Sequence, residues 1–123
     1  MKAINTEKAP AAVGPYVQAI ATENLVFTSG QLSINPENGE LVTEIKAAAK
    51  QSLENVKAIL EEAGTSMDKV IKCTVFLADI NDFAAVNEVY KEYFSDHKPA
   101  RSAIQVGALP LGGVIEIEAI ATL

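Results

Sequence analysis

PARSAIQVGALPLGGVIEIEAIATL, residues Pro99 to Leu123, reads as a strand, a turn and a second strand. Strand side chains alternate between faces. Ile104, Val106 and Ala108 therefore share one side of the first strand, and Arg101, Ala103, Gln105 and Gly107 share the other. On this reading Arg101 points away from the apolar side. In the second strand Ile115, Ile117, Ala119, Ala121 and Leu123 form an unbroken apolar face, which leaves Val114, Glu116, Glu118, Ile120 and Thr122 on the opposite one. If Leu109 to Gly113 closes a hairpin, Arg101 and both glutamates lie on the same side of the sheet. A carboxylate binder then stands beside two proton carriers. A charged, solvent-facing edge hairpin would show the same pattern.

Working outward, Val70 to Leu77 (VIKCTVFL) alternates as a further strand, with Ile71, Cys73, Val75 and Leu77 expected inside. From Glu44 to Ala63, Ile45, Ala49, Leu53, Val56, Leu60 and Ala63 recur at helical spacing, with Thr43 as the expected N-cap and Gly64 as the C′ stop. A second amphipathic helix follows Asn81-Asp82, carried by Phe83, Val86, Tyr90, Tyr93 and Phe94 and ending near Ser95. Pro15 to Ala21 and Asn24 to Ser33 read as a strand hairpin, and Asn35-Pro36 with Asn38-Gly39 as the turn after it. Two helices with about five strands cannot cover both faces of a sheet, so both are expected on one. The open face would carry Phe76, Val70, Val114 and Ile120, more apolar surface than a monomer usually exposes. A homo-oligomer built through that face is the expectation, with ligand clefts where subunits meet.

Composition narrows the chemistry. The 123 residues make one domain, 1–123, and 49% are hydrophobic against 6% aromatic, so the core is expected to be aliphatic. The net charge is −6 and Lys and Arg do not cluster, which disfavours nucleic-acid binding. No segment approaches the length of apolar chain needed to span a membrane, and no leader-like apolar stretch opens the sequence, so a cytoplasmic protein is expected. A single cysteine, Cys73, and a single histidine, His97, exclude an intrachain disulfide and leave too few ligands for zinc. Cys73 reads as a buried small hydrophobe and His97, in SDHKP, as an ordinary loop residue.

Six segments in order, APAAVGPYVQAI, FTSGQLSINPENGE, QSLENVKAILEEAG, VFLADINDFAAVNEVY, PARSAIQV and IEIEAIA, make the chain resemble the Rid/YjgF family of reactive intermediate deaminases over nearly its whole length. The resemblance implies a chorismate-mutase-like α+β fold, a mixed sheet with two helices on one face, assembled as a homotrimer with sites at the subunit interfaces. It implies hydrolysis of 2-iminobutanoate and 2-iminopropanoate to 2-oxo acids and ammonia, without a cofactor or metal. By the same resemblance Arg101 grips the substrate carboxylate, Glu116 handles the attacking water, and Tyr16 and Ser29 line the site. Glu118 receives no role from it. Ala103 stands where many relatives have cysteine, Val17 follows Tyr16 where serine is frequent, and the HKP connection is short, which bears on substrate range.

The chemistry suits these residues. Guanidinium offers two parallel donors to a carboxylate and so orients the neighbouring C=N carbon. One acceptor for water and one route for protons then suffice. Burial would raise the Glu116 carboxyl and a nearby Arg101 would lower it, and sequence alone leaves that balance open. Two other readings stand beside the deaminase: a regulatory module that binds small 2-oxo acids without turnover, and a chaperone-like protein using its apolar face.

Overall fold

The apolar alternation of Ile115–Thr122 makes this segment, β7, the strand on which the sheet is assembled: its residues alternate between buried and half-buried along the whole length. A computed structural model describes residues 1–123. The other elements are β1 (Lys2–Ile4), β2 (Ala19–Ala21), β3 (Leu25–Thr28), β4 (Gln31–Leu32), α1 (Ile45–Glu62), β5 (Val70–Leu77), α2 (Phe83–Tyr93) and β6 (Ala100–Gln105). The strand order is β1-β2-β3-β7-β5-β6, with β4 also paired to β7 beyond the end of β3. β5 and β6 run parallel and every other pairing is antiparallel, so this is a mixed α+β sheet.

The expected β6–β7 hairpin does not form. β5 lies between the two strands, and the connection crosses its end, where Val106 N–H donates to the Leu77 carbonyl and Ala78 N–H to the Val114 carbonyl. Burial explains the order. β5 places Val70, Cys73, Val75 and Leu77 in the core, whereas β6 has no fully buried residue and suits an edge. The parallel β5–β6 pair then needs the α2 crossover. β4 and β5, both antiparallel to β7, are likewise joined through α1. Both crossovers step the same way across the sheet, and right-handed connections place their helices over one face.

Other boundaries moved as well. The early strand shrinks to β2, β1 pairs with it, and the expected strand Asn24–Ser33 breaks at Ser29-Gly30 into β3 and β4. A register irregularity between Val70 and Lys72 turns Val70 inward and leaves Ile71 45% exposed, reversing both expectations. Val70 is therefore absent from the open face, and Val114 packs against the core. Phe27, Phe76, Ile120 and Ile20 do share that face. The core beneath the helices is aliphatic, with Leu53, Val56, Ile59 and Leu60 of α1 facing Ile115, Ile117 and Ala119 of β7.

Candidate active site

Glu116 sits on the open face of β7, opposite Phe76 of β5 and Leu32 of β4. The break at Ser29-Gly30 makes room for it: a Cβ added at Gly30 would stand 2.8 Å from Glu116 Cδ and closer still to Oε1. The carboxyl borders a cleft of about 450 Å³ whose walls include Val13, Tyr16, Leu32, Ile34 and Leu111. The wall from the N-terminal loop is held by buried Gln18, whose amide accepts from Thr6 N–H (2.6 Å) and donates to the carbonyls of Thr6, Ala9 and Pro10. Partial burial, with the negative charge of Glu118 second, pushes the Glu116 carboxyl above its ordinary value.

Arg101 is elsewhere. It pairs with Cys73 of β5, which pairs in turn with buried Ala119, so its side chain leaves the sheet on the helix side. Glu116 and Glu118 pair with Phe76 and Thr74 and leave on the other. The expected juxtaposition within one chain is thus wrong, because β5 intervenes and changes the parity that a hairpin would impose. Arg101 is nevertheless fixed: Nη1 donates to Asn87 Oδ1 at 2.7 Å, and the guanidinium lies over the Phe83 and Tyr90 rings at 5.0 and 4.7 Å from their centroids. It shares a surface depression with Asn87, Tyr90, Lys98 and Pro99.

Tyr16, 52% exposed, shares the Glu116 cleft. Ser29 does not; its hydroxyl donates to the Val17 carbonyl at 2.6 Å, and it borders an adjoining depression with Tyr16 and Phe27. Cys73 is fully buried and burial raises its thiol pKa. His97 is more than a loop residue, because its Nε2 contacts the Val70 carbonyl at the irregular start of β5.

The family model described as Endoribonuclease L-PSP matches residues 6–123. A 2-iminobutanoate/2-iminopropanoate deaminase of Escherichia coli is 51% identical over 123 residues, covering 98% of this chain and 96% of that protein. The chain belongs to the Rid/YjgF family. Another relative, a RutC family protein of Pyrococcus abyssi, is 56% identical over 119 residues, covering 96% of this chain and 94% of its own. Among solved structures, E. coli TdcF with bound serine superposes with a TM-score of 0.96 at 49% identity, covering 100% of this chain and 99% of that one.

In this Rid/YjgF chain, the sequence reading missed Gly30, Gln18 and Asn87. Gly30 carried a usable signal, since a glycine inside a strand pattern marks a bulge or a close approach. Gln18 and Asn87 carried none, because their partners lie in distant segments brought near only by the fold. No helix of this Rid/YjgF protein is long and apolar enough to cross a membrane.

Proposed function

We propose that this chain hydrolyses small 2-imino acids, 2-iminobutanoate and 2-iminopropanoate among them, to 2-oxo acids and ammonia. The observation that carries the reading is Glu116: a half-buried carboxyl, its pKa held above the ordinary value by burial, on the wall of a largely apolar cleft. The family and the E. coli deaminase relative support the same chemistry. In the proposed reaction Arg101 binds the substrate carboxylate and Glu116 takes a proton from water as its oxygen attacks the C=N carbon. From a protonated imine this gives a neutral carbinolamine, whose nitrogen receives that proton back from Glu116; as the C–N bond breaks and ammonia leaves, Glu116 takes the hydroxyl proton and C=O forms. Tyr16 lines the cleft, and Ser29, whose hydroxyl holds the Val17 carbonyl, lines the adjoining depression beside Tyr16.

Arg101 and Glu116 leave opposite faces of one chain's sheet, so the proposal requires them from two subunits. A homotrimer closed through the open face, with a site at each interface, meets this requirement. The apolar Phe27, Ile20 and Ile120 on that face support it, as does a guanidinium already held at an edge strand. The nuclease activity in the family model's name fits less well, because a net charge of −6 opposes binding of a phosphate backbone.

The test generates 2-iminobutanoate in situ with a threonine dehydratase and follows semicarbazone trapping with wild type, Arg101→Ala and buffer. Wild type should hasten imine loss and Arg101→Ala should not, with unchanged folding. Full activity in Arg101→Ala would sink the proposal. Serine bound to TdcF favours a second reading, small-carboxylate binding without turnover. That reading predicts 2-oxobutanoate binding with no acceleration of imine loss.

A further inference from the structure

We infer that this site prefers 2-imino acids whose apolar side chain is larger than ethyl, and that Leu111 is the residue setting that preference. The inference rests on the reaction proposed above and specifies its substrate. Leu111 is the one non-glycine residue with positive φ, at 60°, beside Gly112 at 71°. A bulky side chain in this region is an outlier, since left-handed backbone is the province of Gly, Asn and Asp. The side chain is 76% exposed, so no packing within the chain offsets the strain. Residues held in such backbone regions cluster at active sites and ligand clamps.

The surroundings indicate which ligand group that is. Leu111 borders the Glu116 cleft together with Val13, itself 85% exposed, and with Leu32 and Ile34. Glu116 is the sole ionisable carboxyl on this wall, and Gln31 turns its amide to the Ser29 carbonyl. With the carboxylate assigned to Arg101 and the imine carbon to Glu116, the apolar rim is left for the substrate side chain. A cleft of about 450 Å³ has space well beyond a methyl or ethyl group. Each methylene buried there should raise kcat/KM about fourfold, and less where the rim stays open to water.

The experiment compares imines made in situ by an L-amino-acid oxidase with catalase from alanine, 2-aminobutyrate and leucine, using wild type, Leu111→Lys and Leu111→Gly. In wild type the leucine-derived imine should exceed the alanine-derived one in kcat/KM by about tenfold or more. In both variants that ratio should fall at least fivefold, with melting temperatures at or above wild type for Leu111→Gly, which relieves the strain. In parallel, calorimetry with pyruvate and 4-methyl-2-oxopentanoate should give the same ordering of Kd in wild type and the same loss in the variants. A flat wild-type series, or a ratio unmoved by either variant, overturns the inference. So does dissociation of the assembly in Leu111→Lys, which would make Leu111 an interface residue. If no imine is turned over, the proposed reaction fails, and the two Kd values still decide the preference.

Discussion

Glu116 owes its environment to two neighbours, one lacking a side chain and one carrying a charge. Gly30 leaves the space its carboxyl occupies, so Gly30→Ala must push that flexible carboxyl aside. The displacement costs little stability, because the far end of a side chain yields, but it misplaces a group proposed to position water. Activity on 2-iminobutanoate should fall about 100-fold with the melting temperature nearly unchanged. Glu118, on the same face, raises the Glu116 carboxyl by charge repulsion. In Glu118→Gln that repulsion is gone and ionised Glu116 becomes easier to form. The acid limb of the pH–kcat/KM profile should then move to lower pH; a limb that stays in place would separate the two glutamates.

The two helices show what local pattern reveals and what it omits. The apolar stripe of α1 and its stop at Gly64 were legible, and the end is a Schellman motif: Gly64 N–H donates to the Glu61 carbonyl and Thr65 N–H to the Leu60 carbonyl, with Gly64 at φ 91°. The start was misread. Glu44, not Thr43, supplies the cap, accepting from Ala47 N–H at 2.7 Å. At α2 Asp79 caps Asn81 in the preceding turn, and Asp82 makes no side-chain cap. Glu44→Ala should cost about 1 kcal/mol in urea unfolding, and Thr43→Ala should lie within about 0.5 kcal/mol of wild type. The reverse ranking would return the cap to Thr43. At β5 the alternation was read correctly from Cys73 onward and failed at Val70 and Ile71, because a one-residue irregularity inverts facing without leaving a mark in the pattern.

At the scale of the whole molecule, Arg101 and Glu116 form one proposed site only if different subunits supply them. Mixing Arg101→Ala and Glu116→Gln subunits tests this directly. In a randomly mixed trimer about a quarter of the interfaces would combine an intact Arg101 with an intact Glu116, so about a quarter of wild-type activity should return. No recovery after verified mixing would place both groups in one chain. The open face makes a related prediction. Phe27→Asp puts a charge beside Ile20 and Ile120 and should shift the protein from the proposed trimer to smaller species in light scattering; an assembly size equal to wild type would remove this face from the interface.

The helices, the aliphatic core and the charged strand positions Arg101 and Glu116 were open to reading from the sequence, because periodicity and residue chemistry are local properties; the mixed α+β class and the candidates Tyr16 and Ser29 came from the family resemblance. How the elements are arranged was not open to such reading. Whether β7 pairs with β6 or with β5 depends on which strand best fills the centre of the sheet, a comparison between segments distant in the chain. That choice set the parity of Arg101 against Glu116. The same long-range packing brought Asn87 under the guanidinium and opened the strand at Gly30 for the carboxyl, contacts that no local pattern encodes.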